Sequence, residues 1–505
     1  MIILTGEDLN LDDIIAVARH KEKVKIADSA KKKIKQAREH VDQLVKKGEV
    51  VYGITTGFGK FSDKKISPGE VLKLQENLIK SHAVGTGDAL PLEVVRAMIL
   101  LRINNLAKGH SGIRLKVINK LVKLLNNNIV PWVPEQGSVG ASGDLVPLAH
   151  IVLVIMGEGK AYYKGELLAG DKALEKADIK KTELVSKEGL ALINGTQMMA
   201  ALGSIALYDS QKLMEHADYA LALSLEGLNG ITSAFDSDIH NLRPHPGQIK
   251  SAEVVRNLTK GSNLAVYEHE NRVQDSYTLR CAPQVHGASR DAVNHVKDII
   301  NREINSVTDN PLLFPEKDKV ISGGNFHGQP LALGLDYLSM AVSEVGNISE
   351  RRVARLVDGS LNNGLEMFLT PQGGLNSGYM IAQYTAASIV AENKVLANPA
   401  STDSIPTSAN QEDHVSMGSI SGRKLRDIVT NVEKVLAIEL IVAAQAVDLR
   451  TDSPLKDLGE GSKIIYKVIR EKIDKLKEDR ILYPEVEEVK NIIQKGVISQ
   501  KIKNL

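Results

Sequence analysis

The sequence predicts an all-α protein, built as a bundle of long helices. Apolar residues recur at alternating steps of three and four over several long segments, which is the period of an α-helix. Hydrophobic residues make up 43% and charged residues 25% of the 505 residues, a composition typical of globular proteins. Helices of this length persist in a globular protein only by packing side by side, so the sequence favours a bundle.

The helical segments follow one another with Gly-, Ser- and Asn-rich loops between them. Pro91 precedes a stripe that begins at Leu92, as expected for a proline at a helix start. The most regular stripe runs from Leu331 to Asp358. Similar periodic segments cover residues 205–228, 291–304, 376–396 and 424–449. Because rigid scaffolds present their functional residues on loops, we expect the unusual loop residues to carry the function.

The region between Tyr162 and Leu190 is the most plausible boundary, since it is locally charged and contains a predicted hairpin near Lys164-Gly165. We therefore predict an N-terminal domain over residues 1–195 and a C-terminal long-helix domain over residues 196–505. The Lys/Glu-rich stretch from Ser453 onward predicts two solvated amphipathic helices.

The overall charge excludes several classes of function. A formal net charge of +1 gives no global field to attract nucleic acid or an anionic membrane. The single cysteine, Cys281, cannot form an internal disulfide. Residues 1–13 do not resemble a signal peptide, and the longest apolar stretches are shorter than the roughly 20 residues of a membrane span. We expect a cytoplasmic protein that binds neither nucleic acid nor membranes.

The segment Ala141-Ser142-Gly143 can supply unusual chemistry if its loop folds back on itself. Glycine has the least hindered backbone nitrogen, and it tolerates the dihedral angles needed to aim that nitrogen at the carbonyl carbon of Ala141. Attack there closes a five-membered ring. Loss of the Ser142 hydroxyl as water then creates an exocyclic alkene, so the product is an electrophile made from the chain itself.

The loop containing this segment, Gly137–His150 (GSVGASGDLVPLAH), resembles the signature of the aromatic amino-acid ammonia-lyase family. Seven further motifs extend the resemblance over nearly the whole chain, in the family's order. They are YGITTGFG at 52–59, LQENLIKSHAVGTG at 74–87, LINGTQ at 192–197, VQDSYTLRCAPQVHG at 273–287, TDNP at 308–311, GGNFHG at 323–328 and SANQEDHVSMG at 408–418.

This resemblance implies a fold, an assembly and a prosthetic group. The fold is an elongated helical bundle of the fumarase/aspartase-like type, and the assembly is a homotetramer whose active sites take residues from three chains. The prosthetic group is 4-methylidene-imidazol-5-one, formed autocatalytically from Ala141, Ser142 and Gly143 without any external cofactor. It makes the substrate amine a better leaving group by covalent catalysis.

Two positions match the members of the family that act on histidine. They are the pair Ser81-His82 and the residue Glu412, where members selective for phenylalanine or tyrosine typically have Gln. An imidazole needs hydrogen-bond partners at its nitrogens, and a carboxylate accepts from an N–H group. The resemblance therefore implies elimination of ammonia from L-histidine to give trans-urocanate, the first step of histidine degradation to glutamate.

The resemblance also assigns roles to single residues. Tyr52 is the candidate base for the β-proton, which requires a lowered pKa of its phenol. The guanidinium of Arg280 suits two-pronged binding of the substrate carboxylate. A helical conformation would put Gln274, Tyr277 and Arg280 on roughly one face. Tyr277 is expected to assist the cofactor and amine chemistry. The other expected binding residues are His82, Asn194, Gln274, Asn310, Phe326 and Glu412.

Three alternatives stay open at this point. The first is a lyase or aminomutase of the same family that acts on tyrosine or phenylalanine. The second is a catalytically silent relative that keeps only the bundle, against which Ala141-Ser142-Gly143, Tyr52 and Arg280 together argue. The third is a metal-dependent hydrolase, disfavoured because the histidines are scattered and match no zinc pattern. We expect no metal.

Overall fold

The computed structural model describes residues 1–57, 59–61, 64, 66–67 and 69–503, and it is mainly α-helical. The described residues form twenty α-helices and nine short β-strands. The prediction of a mainly α fold is thus confirmed.

The described helices differ widely in length, and four of them are longer than twenty residues. The helices are α1 Leu11–Ala18, α2 Asp28–Lys47, α3 Val71–His82, α4 Leu92–Ala107, α5 Leu115–Asn126, α6 Leu145–Ile155, α7 Gly170–Lys176, α8 Glu188–Ile193, α9 Gln197–Gly227, α10 Ser237–Asn241, α11 Pro246–Thr259, α12 Tyr277–Arg280, α13 Ala282–Glu303, α14 Gln329–Val357, α15 Met380–Leu396, α16 Gly418–Arg450, α17 Pro454–Asp457, α18 Glu460–Arg470, α19 Tyr483–Lys495 and α20 Val497–Ile502.

The described strands form four small sheets. They are β1 Ile2–Leu4, β2 Val24–Ile26, β3 Thr86–Ala89, β4 Val130–Pro131, β5 Pro134–Gln136, β6 Lys160–Tyr163, β7 Glu166–Ala169, β8 Leu312–Phe314 and β9 Lys319–Ile321. β1 and β2 pair in parallel, while β3–β5, β4–β6–β7 and β8–β9 are antiparallel. The predicted hairpin is confirmed: β6 and β7 join through Lys164 and Gly165, whose φ angles of 51° and 88° suit a tight two-residue turn.

Helix α14 follows its predicted stripe closely, whereas α9 and α13 begin before the predicted segments 205–228 and 291–304. α14 contains the stripe that the sequence predicts from Leu331 onward and ends one residue before Asp358. The side chains of Leu335, Leu338, Val342 and Val345 on it are fully buried. Burial of this continuous apolar face explains why the helix persists over 29 residues.

The chain folds into two compact units. Unit 1 comprises residues 1–205, 297–336 and 399–423, and unit 2 comprises residues 206–296, 337–398 and 424–505. Each unit is assembled from three segments. Four of the five boundaries fall within α9, α13, α14 and α16, and the fifth falls just after α15. The predicted boundary between residues 195 and 196 divides the chain into two domains, each continuous in sequence. This boundary stays a prediction.

Helix α4 occupies the centre of unit 1 and supports the loops described below. Nearly all of its side chains are buried, including Arg96, Arg102, Asn104 and Asn105. Burial of a polar group is costly unless it is hydrogen-bonded. Arg102 donates from Nη1 to the carbonyl oxygen of Asn194 over 2.9 Å and to Oε1 of Gln197 over 2.8 Å. The helix thus fixes the backbone around Asn194.

The C-terminal stretch contains more helices than the sequence predicts. Four helices, α17 to α20, replace the two expected ones. Gly459 precedes α18, and Gly496 has a φ angle of 64° between α19 and α20, so glycine interrupts the periodic pattern. The amphipathic character is confirmed for α18, which buries Ile465, Val468 and Ile469. In the part of the chain that the structure describes, no helix is long and apolar enough to cross a membrane.

Candidate active site

The loop between β5 and α6, residues 137–144, contains the predicted cofactor-forming segment and bends at three glycines. Gly137, Gly140 and Gly143 have φ angles of 138°, 67° and 70°, which side-chain-bearing residues rarely adopt. A Cβ atom at Gly143 would lie 2.2 Å from the carbonyl oxygen of Gly195. Only glycine therefore fits at this position, and the neighbouring backbone can approach it closely.

Asp144 holds this loop against the start of α9. Its Oδ1 accepts a hydrogen bond from Ser138 Oγ over 3.0 Å, and its Oδ2 accepts from the amides of Met198 and Met199 over 2.9 and 3.0 Å. The Asp144 amide donates to the carbonyl oxygen of Gly195 over 2.7 Å. Burial raises the pKa of Asp144 to about 7, although these hydrogen bonds favour the charged form.

Ser142 faces an acidic side chain from a distant loop. Its hydroxyl donates to Glu412 Oε1 over 3.0 Å, while Glu412 Oε2 accepts from Thr407 Oγ1 over 3.0 Å. Thr407 and Glu412 are also joined by two backbone hydrogen bonds of 2.9 and 3.2 Å. Both carboxylate oxygens of Glu412 are thus occupied by hydroxyl donors.

A cavity of about 950 Å³ in unit 1 brings together seven of the predicted site residues, and it opens to the surface. Its volume lies in the range typical of small-molecule sites. These seven residues are Tyr52, His82, Ser142, Asn194, Asn310, Phe326 and Glu412. Ala141 is buried nearby against Val415 and Met417.

The phenol of Tyr52 does not have the lowered pKa expected of a base. Burial raises the pKa of Tyr52, and the negative charges of Glu412 and Asp309 raise it further. A hydrogen bond from the Gly59 amide, 3.4 Å long, acts in the opposite direction. In these surroundings Tyr52 is protonated at neutral pH. A positive charge near its oxygen would be needed to make it a base.

The imidazole of His82 is neutral at the same pH. Burial lowers its pKa, while the Leu78 carbonyl oxygen and the charge of Glu412 act in the opposite direction. Ser81 Oγ lies 3.1 Å from His82 Nδ1. A neutral imidazole can both donate and accept a hydrogen bond, so His82 can act as donor or as acceptor toward a polar ring in the cavity.

Asn194 is held by a buried ion pair that the sequence did not reveal. Its Nδ2 donates to Asp309 Oδ1 and to the Asn310 carbonyl oxygen, both over 3.2 Å. Asp309 Oδ2 in turn accepts from Lys187 Nζ over 2.9 Å, and neither charged side chain is exposed. Burial lowers the pKa of Lys187, and Asp309 opposes that effect. The Oδ1 of Asn194 is buried with no hydrogen-bond partner among the described residues.

The side chain of Asn310 is fixed by its own loop. Its Oδ1 accepts from Ser322 Oγ over 3.1 Å and from the Gly323 amide over 2.7 Å. These two hydrogen bonds fix the orientation of the Asn310 side chain, and so they also fix the direction of its Nδ2. Lys187, Asp309 and Thr407 were missed by the sequence analysis; Asp309 lies inside the TDNP motif, whereas Lys187 and Thr407 carry no signal in the sequence.

Gln274, Tyr277 and Arg280 belong to unit 2, and their part in the site stays a prediction. The expectation that a helix puts all three on one face is wrong, because α12 begins at Tyr277 and Gln274 lies before it, outside any helix. Tyr277 and Arg280 do lie together, with the guanidinium 4.6 Å from the ring centroid. Tyr277 is 70% exposed, which leaves its hydroxyl open to further partners.

The motif at residues 52–59 includes Phe58, which lies outside the described residues. Within the described ranges, no three side chains of His, Cys, Asp or Glu are grouped so that they could hold a metal ion. The expectation that the protein uses no metal stays a prediction.

The fold and the site together define a mainly α-helical protein with a polar cavity beside a glycine-bent Ala-Ser-Gly loop. The sequence model of the aromatic amino acid lyase family matches residues 9–471. The chain belongs to this family, and the resemblance predicted from its motifs is confirmed.

Relatives with printed names cover nearly the whole chain. A protein of Caldanaerobacter subterraneus subsp. tengcongensis named histidine ammonia-lyase is 54% identical over 502 residues, covering 99% of this chain and 98% of that protein. The crystal structure of histidine ammonia-lyase from Trypanosoma cruzi is 43% identical with a TM-score of 0.92, covering 100% of this chain and 95% of that one. Tyrosine aminomutase from Streptomyces globisporus is 35% identical with a TM-score of 0.95, covering 100% and 98%.

Proposed function

We propose that this protein eliminates ammonia from L-histidine without oxidation, giving trans-urocanate in the first step of histidine degradation to glutamate. The observation that carries the proposal is that His82 and Glu412 line the same cavity as Ser142. The histidine ammonia-lyase of Caldanaerobacter, 54% identical over 99% of this chain, supports the same substrate. We further propose that the enzyme acts in the cytoplasm.

The prosthetic group of the proposal is 4-methylidene-imidazol-5-one, formed from Ala141, Ser142 and Gly143. The residues present fit it, because Gly143 has no space for a side chain and adopts a φ angle of 70°. The Ser142 hydroxyl also lies beside a carboxylate rather than being used to cap the backbone. When formed, the group supplies an electrophilic carbon that makes the substrate amine a better leaving group. No external cofactor is required.

His82 and Glu412 would recognise the imidazole of the substrate. The carboxylate of Glu412 accepts from a ring N–H group, and the neutral imidazole of His82 pairs with the other polar edge. A phenyl ring would leave both side chains without partners in a partly buried site, which is costly. Phe326 provides an apolar part of the wall, while Asn194 and Asn310 direct polar groups toward the cavity.

Tyr52 would accept the β-proton of the substrate, and for this it must first lose its own proton. Since the described surroundings raise its pKa, the proposal requires positive charge from elsewhere in the assembled enzyme. The guanidinium of Arg280 would bind the substrate carboxylate through two parallel hydrogen bonds. Tyr277 would assist at the amine and Gln274 near the cofactor.

We propose a homotetramer in which other copies of the chain complete the site. Helix α15 supports this assembly, because only Ala386 and Asn393 of its 17 residues are buried. Ile381, Tyr384 and Val395 on the same helix are large apolar side chains that stay exposed. A helix that leaves several large apolar side chains exposed is typical of a protein interface.

The proposal is tested by kinetics with histidine, tyrosine and phenylalanine, following release of trans-urocanate for histidine. We expect efficient turnover of histidine alone. In the variant His82→Phe, kcat/KM for histidine should fall by about 10²-fold or more relative to phenylalanine, because a polar group that pairs with the substrate is lost. His20→Phe, an exposed histidine of the same unit, is the matched control.

A preference of the wild-type enzyme for tyrosine or phenylalanine would contradict the proposed substrate and favour the alternative lyase or aminomutase. Absence of turnover with all three amino acids would favour a catalytically silent relative. A chelator would inactivate a metal-dependent hydrolase. Activity that is insensitive to chelators would therefore exclude that alternative.

A further inference from the structure

Asn194 lines the cavity, and the protein itself uses the nitrogen of its side-chain amide. This Nδ2 donates to Asp309 Oδ1 and to the carbonyl oxygen of Asn310, each over 3.2 Å. An ionised carboxylate and a carbonyl oxygen can only accept hydrogen bonds. The group of Asn194 that faces them is therefore the amide nitrogen, and its oxygen is directed away from them.

The Oδ1 of Asn194 is the polar atom that this side chain has left to offer. It has no hydrogen-bond partner among the described residues, although Asn194 is only 2% exposed. A buried acceptor without a partner costs free energy, so we expect a bound molecule to supply the partner. That partner must be a hydrogen-bond donor.

The carboxylate of Asp309 is fixed at both of its oxygens. Oδ1 also accepts from the backbone amide of Asn310 over 2.7 Å, and Oδ2 accepts from Lys187 Nζ over 2.9 Å. Neither charged side chain is exposed. A buried carboxylate is costly without a cation, so the pairing with Lys187 keeps an acceptor opposite the Asn194 amide.

Lys187 and Asn194 flank the two ends of α8, and Asp309 contacts both of them. Lys187 has a φ angle of 72°, which is uncommon for a residue with a side chain. Such a conformation persists only where the surrounding structure fixes it. At the other end of the helix, Arg102 holds the carbonyl oxygen of Asn194. The backbone and the side chain of Asn194 are thus both fixed.

The proposed substrate offers one donor that no other residue of the proposed site requires. Its carboxylate cannot pair with Oδ1, since both groups only accept. The nitrogens of its imidazole pair with His82 and Glu412 in the proposed function. The α-amino group remains, and it carries N–H donors in either protonation state.

We propose that Asn194 Oδ1 accepts a hydrogen bond from the α-amino group of the substrate, and that Asp309, paired with Lys187, is the positioning residue that holds Asn194 in this sense. The inference rests on the proposed function, because it takes an amino acid as the substrate. An acceptor at an N–H group fixes the direction of the nitrogen lone pair, which reacts in the proposed elimination. The contact should therefore act mainly on kcat, by orienting the amine.

Two double variants test the role of Asp309, because both remove the buried charges and only one keeps the acceptor. The asparagine variant is Lys187→Met, Asp309→Asn, and the leucine variant is Lys187→Met, Asp309→Leu. The oxygen of the new asparagine can still accept from Asn194 Nδ2, whereas leucine cannot. We expect kcat for histidine to be about 10- to 100-fold higher in the asparagine variant, which is the usual effect of one buried hydrogen bond. KM should differ less, since the proposed contacts of the imidazole and the carboxylate are unchanged.

Glu188→Gln is the matched control, because Glu188 directly follows Lys187 and is also a fully buried member of an ion pair. Its carboxylate accepts from Arg114 Nε over 2.7 Å. This control should unfold at a lower temperature and keep the kcat of the wild type. Equal kcat values in the two double variants would overturn the proposal. A control whose kcat falls as far as that of the leucine variant would overturn it as well.

Equilibrium binding shows whether the amino group is the partner of Asn194. In a Ser142→Ala background no exocyclic alkene can form, so binding is measured without turnover. The probes are L-histidine and imidazolepropionate, which is histidine without its amino group. The preference for histidine over imidazolepropionate should be about 10-fold smaller in the leucine variant than in the asparagine variant. An equal loss of affinity for both probes would show that Asp309 only maintains the cavity, and would overturn the proposal.

If the leucine variant does not fold, Lys187→Met, Asp309→Ala replaces it, since alanine also offers no acceptor and is smaller than aspartate. Failure of the proposed function gives a different result. An enzyme that converts tyrosine or phenylalanine instead of histidine would refute only the proposed substrate, because these amino acids carry the same amino group. The double variants are then compared with that amino acid and its analogue without the amino group, and equal kcat values there would overturn the role of Asp309.

Discussion

Two aspartates, one in each unit, are equally buried and have opposite shifts of pKa. Asp144 in unit 1 and Asp218 in unit 2 are both 0% exposed. Burial raises the pKa of Asp144 to about 7, because its hydrogen-bond donors are all neutral. At Asp218 burial also acts to raise the pKa, but the charge of Arg290 and the hydrogen bond from His286 outweigh it and lower the pKa. The charge of the partners, and not the depth of burial, decides the protonation state.

Asp218 is part of a network in which every member has a partner. Arg290 Nη2 lies 2.6 Å from Asp218 Oδ2, and His286 Nδ1 lies 2.7 Å from Oδ1. His286 Nε2 is 3.4 Å from Arg352, which binds Glu439 over 2.5 and 2.8 Å. The network joins α9, α13, α14 and α16, so it fixes the packing of these helices within unit 2.

The cavity region of unit 1 uses buried polar groups differently. Asp144 has neutral donors and a pKa near neutrality, and Asn194 has an oxygen without a partner among the described residues. Such groups reduce stability, but they retain the capacity to gain a proton or a hydrogen bond. Incomplete pairing therefore distinguishes the reactive region from the structural network.

The largest expected effect comes from removing the arginine that pairs with Asp218. Arg290→Met leaves Asp218 buried without its main positive partner and should reduce the free energy of unfolding by about 3–5 kcal/mol. Unfolding in urea and the thermal midpoint at neutral pH measure this loss. The double variant Asp218→Asn, Arg290→Met should recover most of it, because asparagine still accepts from His286. A single variant as stable as the wild type would show that Asp218 needs no cation.

The long helices were predictable because they bury continuous stripes, but their starts were not: α9 begins at Gln197 and α13 at Ala282, whereas the predicted segments begin at residues 205 and 291. The stripe from Leu331 to Asp358 corresponds to α14, which begins at Gln329 and ends at Val357. The number of C-terminal helices was not predictable, since Gly459 and Gly496 interrupt a pattern whose charged residues would also suit longer helices. Periodicity specifies the face of a helix better than its ends.

The site was predictable where a motif carries the residue. Tyr52, His82, Asn194 and Glu412 line one cavity, as the resemblance implied. Lys187 was not predictable, because its partner Asp309 is 122 positions away and a lone lysine is usually exposed. The raised pKa of Tyr52 was not predictable either, since it depends on burial and on charges contributed by distant parts of the chain.

The second prediction concerns the pH dependence that the raised pKa of Asp144 produces. The unfolded chain loses this proton near pH ~4, whereas the folded chain keeps it up to about pH 7. The contribution of Asp144 to stability is therefore complete below pH ~4 and is lost as the pH rises to about 7. Between pH ~5.5 and ~7 the loss amounts to about 2 kcal/mol, at roughly 1.4 kcal/mol per pH unit.

Asp144→Asn should abolish this slope, because an amide does not titrate in this range of pH. The asparagine can still accept from the amides of Met198 and Met199 and donate to Ser138. The measurement is the difference in free energy of unfolding between wild type and variant as a function of pH. The matched variant Asp218→Asn should show a difference of the opposite sense, which declines only as the pH falls below about 4. Parallel pH profiles for wild type and Asp144→Asn would refute a titration of Asp144 near neutral pH.

The smallest effects should come from two serines, one bonded to Asp144 and the other to the arginine that pairs with Asp218. Their effects on stability should depend differently on pH. Ser138 Oγ donates to Asp144 Oδ1 over 3.0 Å, whereas Ser251 Oγ accepts from Arg290 Nε over 3.0 Å. Each change to alanine removes one hydrogen bond and should cost about 1 kcal/mol. For Ser138→Ala the cost should grow above neutral pH, because the lost donor favoured only the charged form of Asp144. For Ser251→Ala it should stay constant from pH ~5 to ~9, because arginine is charged throughout. Unfolding in urea at several pH values measures both, and a Ser138→Ala cost that does not change with pH would mean that Asp144 keeps one protonation state.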